Sequence, residues 1–157
     1  MISNYSDAGL DLSHDPDFYA LMAESFERCV GRRLAPEGEG AEWLYDRSPA
    51  VVLAHNTDPD PRFIYANRAA QACFEYSWDE FIALRSRLSA EAPNRAERQR
   101  LLDAVAAKGF VSGYRGIRIA KSGRRFRIED TTVWDLIDHN GRRLGQAAIF
   151  GSWQDEG

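Results

Sequence analysis

Residues 110–153, FVSGYRGIRIAKSGRRFRIEDTTVWDLIDHNGRRLGQAAIFGSW, constrain the fold more than any other part of the chain. Three runs rich in Ile, Val, Thr and aromatic residues are separated by two pairs, Ser122-Gly123 and Asn140-Gly141. Both pairs accept positive φ, the chemistry of a two-residue hairpin. The spacing therefore predicts a three-stranded antiparallel meander with a definite register. Ile119 faces Phe126, Ile117 faces Ile128 and Arg115 faces Asp130 in the first hairpin. In the second, Trp134 faces Ala147, Thr132 faces Ile149, and Ile128 faces Trp153. Period-two alternation puts all of these on one face. That face is apolar except for the Arg–Asp pair and a threonine. A small-ligand site reads this way, and so does a sheet core holding one satisfied ion pair. A bulge near Glu129–Thr132 would flip everything after it.

The other face starts with Arg118 opposite Arg127, a like-charge pair that needs Glu129 or an anion beside it. It continues with Tyr114, Thr131, Val133, Ile137, Leu144, Ala148 and Phe150. So much apolar surface needs a cover. Asp15-Pro16 is a helix start, an N-cap acid followed by proline at the first helical position. Phe18, Leu21, Met22, Phe26, Cys29 and Val30 then recur at helical spacing to about Leu34. This helix is expected to lie on that outer face, in its own subunit or swapped within a homodimer.

Between helix and meander the elements alternate. APEGEG at 35–40 is a linker. AVVLAHN at 50–56 and FIYA at 63–66 are strands joined by a DPDP turn. A helix follows from about Asn67 to Tyr76. Ser77 and Glu80 form a capping box that opens a short helix. Asn94 with Glu97 opens a longer one, whose stripe is Leu101, Leu102, Val105 and Ala106 and whose end is Gly109. The order predicts an α+β fold, a five-stranded antiparallel sheet with helices on one face plus an N-terminal amphipathic helix.

The chain from Ala54 to Trp153 resembles the MEKHLA domain, a PAS-related family. The resemblance is carried by AHNTDPDPRFIYANRAA at 54–70, SWDEF at 77–81, SRLSAEAPNRAERQRLL at 86–102 and YRGIRIAKSGRRFRIEDTTVWDLID at 114–138. It is to the bacterial stand-alone type, and it implies a sensory or regulatory module without naming a ligand. The expected organisation is a disordered segment 1–14, a helix and linker over 15–40, and a PAS-like domain over 41–157.

Charge is uneven. Residues 1–61 carry 12 acidic against 4 basic side chains, and 62–157 carry 12 against 16. That leaves no chain-wide nucleic-acid footprint, and the local basic cluster Arg118, Lys121, Arg124, Arg125 and Arg127 lacks interleaved aromatics for base stacking. Cys29 and Cys73 are isolated, outside any metal-ligand spacing, which suits a reducing compartment. No membrane-length apolar run and no signal peptide are present, so a cytoplasmic location is expected.

Haem is not expected. His14, His55 and His139 all lie off the helices where a PAS-type haem ligand would sit. A photoactive flavin site would need a cysteine within an NCRFLQ-like motif, and Cys73 stands in QACFEY. No hydrolase, zinc or phosphate-loop motif occurs, and Glu129 and Asp130 point to opposite faces of one strand. The sequence thus points to a non-catalytic module without a cofactor or metal. It is expected to bind a small organic ligand between sheet and helices and to signal through a partner or dimer interface. Arg115, Asp130, Thr132 and Trp134 are the candidate ligand residues. The alternatives are a ligand-free dimerisation domain and, more weakly, a small enzyme acting on an apolar substrate.

Overall fold

The computed structural model describes residues 5–6 and 10–156. Helix α1 (Pro16–Val30) is capped by Asp15, whose carboxylate accepts from the Phe18 amide at 2.7 Å. It stops short of Leu34 because Gly31 turns left-handed at φ 78°. A short helix α2 (Ala41–Asp46) precedes strands β1 (Val51–His55) and β2 (Phe63–Ala66). Helices α3 (Arg68–Phe74), α4 (Trp78–Phe81) and α5 (Ala92–Lys108) follow, with a 3-10 turn at Ser86–Ser89 before α5. The capping box of Ser77 and Glu80 is present at the start of α4. Strands β3 (Phe110–Ile119), β4 (Arg125–Ile137), β5 (Arg143–Phe150) and β6 (Ser152–Glu156) complete the sheet. The spatial order is β2-β1-β5-β4-β3. Strand β6 prolongs the line of β5 along β4 after a break at Gly151. The sheet is therefore five strands wide.

The second hairpin keeps the expected register: Thr132 pairs with Ile149, Trp134 with Ala147, and Ile128 with Trp153. Its turn is longer than expected. The Asp138 amide donates to the Arg142 carbonyl, and Gly141 sits at φ 78°. This one-residue slip is undone by an irregularity next to Leu136 and Ile137.

The first hairpin differs. The Ala120 amide donates to the Arg124 carbonyl across a three-residue loop whose last residue, Gly123, has φ 92°. Such a loop is a type I turn closed by a left-handed residue, and it moves the pairing by one. Ile119 faces Arg125, Arg118 faces Phe126, and Ile117 faces Arg127. The expected pairs Ile119–Phe126, Ile117–Ile128 and Arg115–Asp130 do not form, and neither does Arg118 opposite Arg127. Further along, Glu129 and Asp130 together oppose Arg115, a bulge in which Asp130 takes φ 44°. Gly113, at φ 71°, compensates on β3.

The bulge splits the expected single face in two. Phe126, Ile128 and Trp153 turn toward α3 and α4, packing with Phe74, Phe81 and Phe150. Trp134 and Ala147 turn the other way, against Phe18, Met22 and Phe26 of α1. Helix α1 therefore covers, within its own chain, the face carrying Trp134 and Leu136. Of the face that the sequence suggested, it reaches Ile137 and Leu144 but not Tyr114, Val133, Ala148 and Phe150. Helices α3–α5 already cover these, with Leu101 and Val105 of α5 on Val133. The helices thus sandwich the sheet. Of the segment 1–14, residues 1–4 and 7–9 lie outside the described residues; Leu12 is buried, and Tyr5 stacks edge-on to Phe18 at 5.2 Å.

Asp130 offers a direct check on the bulge. It is exposed, so Asp130→Asn should change stability by less than about 0.5 kcal/mol, as surface changes do. Asp130→Val should cost about 1–2 kcal/mol, because a β-branched residue is strained at positive φ. Urea unfolding of both variants measures this. A cost of about 3–5 kcal/mol for Asp130→Asn would instead indicate a buried ion pair.

Candidate functional site

Between the sheet and α5 lies a partly open cavity of about 50 Å³. Its apolar walls come from both layers. Leu53, Ile128, Val133 and Phe150 rise from the strands, Phe74 from α3, and Leu101 and Leu102 from α5. A cavity needs about 10–15 Å³ to hold one water, so this one takes several waters or a very small organic molecule.

Its polar lining is unusual. Arg98 of α5 and Arg118 of β3 are 8% and 7% exposed, and neither makes an ion pair among the described residues. Arg98 donates to Ser86 Oγ at 2.8 Å. Arg118 donates to the Ile117 carbonyl at 2.9 Å and to the Tyr114 hydroxyl at 3.3 Å, and its guanidinium lies over the Tyr114 ring. The Tyr114 hydroxyl donates in turn to Glu97 at 2.7 Å. Burial, then the neighbouring charge of Arg118, pulls Arg98 down to about 10.

His55 and Gln146 also line the cavity. The Nδ1 of His55 lies 2.9 Å from the Asn56 carbonyl, which can only accept, so Nδ1 holds the proton. Its Nε2 is then a bare acceptor, buried and without a hydrogen-bond partner among the described residues. Gln146, 1% exposed, donates Nε2 to the Leu102 carbonyl at 3.3 Å, which leaves its Oε1 a second buried acceptor without a partner. Burial pulls His55 down to about 4, with the charges of Arg98 and Arg143 adding to it and the Asn56 bond opposing.

The depressed value fixes a sign. As pH falls from about 6.5, the unfolded chain takes up the imidazole proton while the folded chain stays neutral until about pH 4. Folding stability is therefore lost across that window, by roughly 3 kcal/mol from this group. Guanidinium melts at pH 7.5 and pH 4.5 should show a smaller acid loss for His55→Gln than for the wild type. Equal losses would mean that His55 is not buried neutral.

The four residues singled out from sequence do not converge. Arg115 is exposed and pairs with Glu129 at 2.7 Å; Glu129 also holds Arg127 at 2.9 Å. Asp130 and Thr132 line a separate open groove beside Arg32 and Arg33, where Thr132 Oγ1 lies 3.3 Å from Ser112 Oγ. Trp134 is fully buried beneath α1, donating to the Met22 carbonyl at 3.2 Å. The cavity uses other residues. Arg98 had a signal, since it lies three and seven residues before Leu101 and Val105 and so continues the apolar stripe of α5. Arg118 and Gln146 had none that survives a one-residue change of register.

Among the described residues no group of His, Cys, Asp and Glu is arranged to hold a metal, and no helix is long and apolar enough to cross a membrane. Cys73, on α3, lies in the same core cluster as Phe74 and the β4 residue Phe126. Burial pushes its thiol up to about 12.

Comparison with known families decides the affiliation. The MEKHLA domain matches residues 17–155. The chain belongs to the MEKHLA domain family. The match takes in α1, which packs in the same core as the sheet. Solved structures agree on a PAS-related fold. A PAS domain from Colwellia psychrerythraea superposes with a TM-score of 0.58 at 18% identity, over 71% of this chain and 90% of that one. A PAS domain of a two-component sensor histidine kinase gives 0.55 at 16%, over 74% and 93%. The LOV domain of the blue-light photoreceptor Aureochrome1 gives 0.54 at 18%, over 64% and 72%. The comparison with curated proteins gave no match. What MEKHLA shares with these neighbours is the fold.

Proposed function

We propose that this MEKHLA domain is a non-catalytic sensory module that binds a small organic ligand between its sheet and α5. The observation that carries this reading is the cavity, whose lining includes His55 and Gln146, two residues that each hold a fully buried acceptor, Nε2 and Oε1, without a partner among the described residues. A buried polar group without a hydrogen bond costs about 1–3 kcal/mol. A core selected only for stability would fill such a space with apolar side chains. The light chemistry named for the Aureochrome1 neighbour finds little support here. The cavity is too small for a three-ring flavin, and Cys73 is a core side chain with its thiol held protonated.

Native mass spectrometry of the protein purified from its host, with an absorbance spectrum, tests the reading. A stoichiometric, colourless small molecule is the expected result. A clean apo mass would favour the second reading, a ligand-free dimerisation domain. That reading draws on Ile117 and Ile119, half-buried on the part of the outer sheet face that α1 does not reach.

A further inference from the structure

The cavity also carries a chemical preference, and this step rests on the ligand reading above. We infer that the ligand is a small hydroxycarboxylate, its carboxylate held by Arg98 and Arg118 and its hydroxyl donated to His55 Nε2 or Gln146 Oε1.

Charge supplies the first half. Buried charges are normally paired, because an uncompensated one is costly to desolvate. Here neither buried guanidinium touches a carboxylate: Glu97 reaches Arg118 only through the Tyr114 hydroxyl, and Arg98 is bonded to the neutral Ser86 hydroxyl. With His55 neutral, the cluster carries one positive charge in excess. Arginine forks match a carboxylate in shape and charge, and such bonds are stronger than neutral ones. Each guanidinium spends few of its five donors on the protein. Arg98 makes one bond and Arg118 two.

The orphaned acceptors supply the second half. A bare carboxylate offers them nothing, since it too only accepts. Exchanging the ends of the Gln146 amide would set its oxygen against the Leu102 carbonyl, so Oε1 stays an acceptor. A ligand O–H satisfies one of them. Arg98, Arg118, His55 and Gln146 all line the same cavity, so one small ligand can meet the guanidiniums and the acceptors together. The small volume limits the ligand to a few carbons.

The test is calorimetric titration of the full chain with glycolate, both enantiomers of lactate, acetate, propionate, lactamide and inorganic phosphate. Glycolate or lactate should bind, with acetate and propionate at least tenfold weaker and lactamide undetectable. Arg98→Gln and Arg118→Gln should each weaken binding a hundredfold or more. Their ligand-free forms should melt no lower than the wild type, since each variant relieves repulsion; a purely structural arginine would lower the melting temperature. Lactamide binding as well as lactate would overturn the anion, and propionate matching lactate would overturn the hydroxyl. Phosphate binding tightest through the same arginines would make this an inorganic-anion site and overturn the proposal. If no probe binds while native mass spectrometry finds another molecule, this inference fails and the ligand reading stands. A clean apo mass together with no binding removes both.

Discussion

Deleting residues 1–35 should abolish the cooperative fold, leaving a chain that aggregates and binds hydrophobic dye. Phe18, Met22 and Phe26 of α1 are each 2% exposed or less, and they pack on Trp134, Leu136, Val52 and Ala54. Burying a large apolar side chain contributes about 1.5–3 kcal/mol, so these three alone approach the whole stability of a typical domain, about 5–15 kcal/mol. Polar ties add to the loss. Trp134 Nε1 donates to the Met22 carbonyl at 3.2 Å, Ser25 Oγ accepts from the Ile137 amide at 3.0 Å, and Arg28 donates to the Ile137 carbonyl at 2.7 Å. Removing α1 opens a fully buried tryptophan face to water. Thermal melts followed by circular dichroism, with light scattering, provide the measurement. A truncated protein that stays monodisperse and melts at the wild-type temperature would show that α1 is an accessory and not part of the core.

The same helix shows where the sequence was legible and where it was not. Its start, its stripe and its need for an apolar partner all follow from Asp15-Pro16 and the spacing from Phe18 to Val30. Its partner depended on which way Trp134 points, and the register of the meander as a whole depends on two backbone details. One is whether the Ser122-Gly123 turn closes over two residues or three. Both loops use a glycine at positive φ, so composition does not separate them. The other is the left-handed Asp130, where a charged residue occupies a bulge that glycine would announce more clearly. Each detail changes the face assignment by one residue, and period-two logic carries the change down the strand. The second hairpin escaped because its turn slip is corrected within two residues of the turn, between Leu136 and Ile137.

The site suffered most from this. The cavity is built where β3 and β4 turn their inner side chains toward α5, and the sequence register put Arg115 and not Arg118 on the ligand face. Arg115 lies on the surface, tied to Glu129, while Arg118, three residues on, is buried against Tyr114. Long-range placement also brought in His55 and Gln146, neighbours across the β1–β5 pair although 91 positions apart in the chain. Fold class depends on element order and apolar period, which tolerate such slips. A site depends on single side chains, which do not.

Asn67→Ala should cost about 3–5 kcal/mol. The residue is fully buried, and its amide is used completely. Oδ1 accepts from the Val52 amide at 3.1 Å and from the Ala70 amide at 3.0 Å. Nδ2 donates to the Leu44 and Ala50 carbonyls at 3.1 and 2.9 Å. One side chain thus caps α3, fixes the start of β1 and holds the end of α2. Alanine would leave two amides and two carbonyls short of partners in the interior, each at about 1–3 kcal/mol before relaxation or water entry. Asn67→Asp makes the sharper control. It keeps the cap and both acceptor contacts, but it turns a buried carboxylate toward two carbonyl oxygens. Aspartate is a good N-cap on a solvated helix, so an aspartate variant as stable as the wild type would mean that capping is the whole role. A loss close to that of alanine is the expected result, because the donors to Leu44 and Ala50 are what bind α2 to the sheet. Urea unfolding of the two variants at neutral pH separates these outcomes.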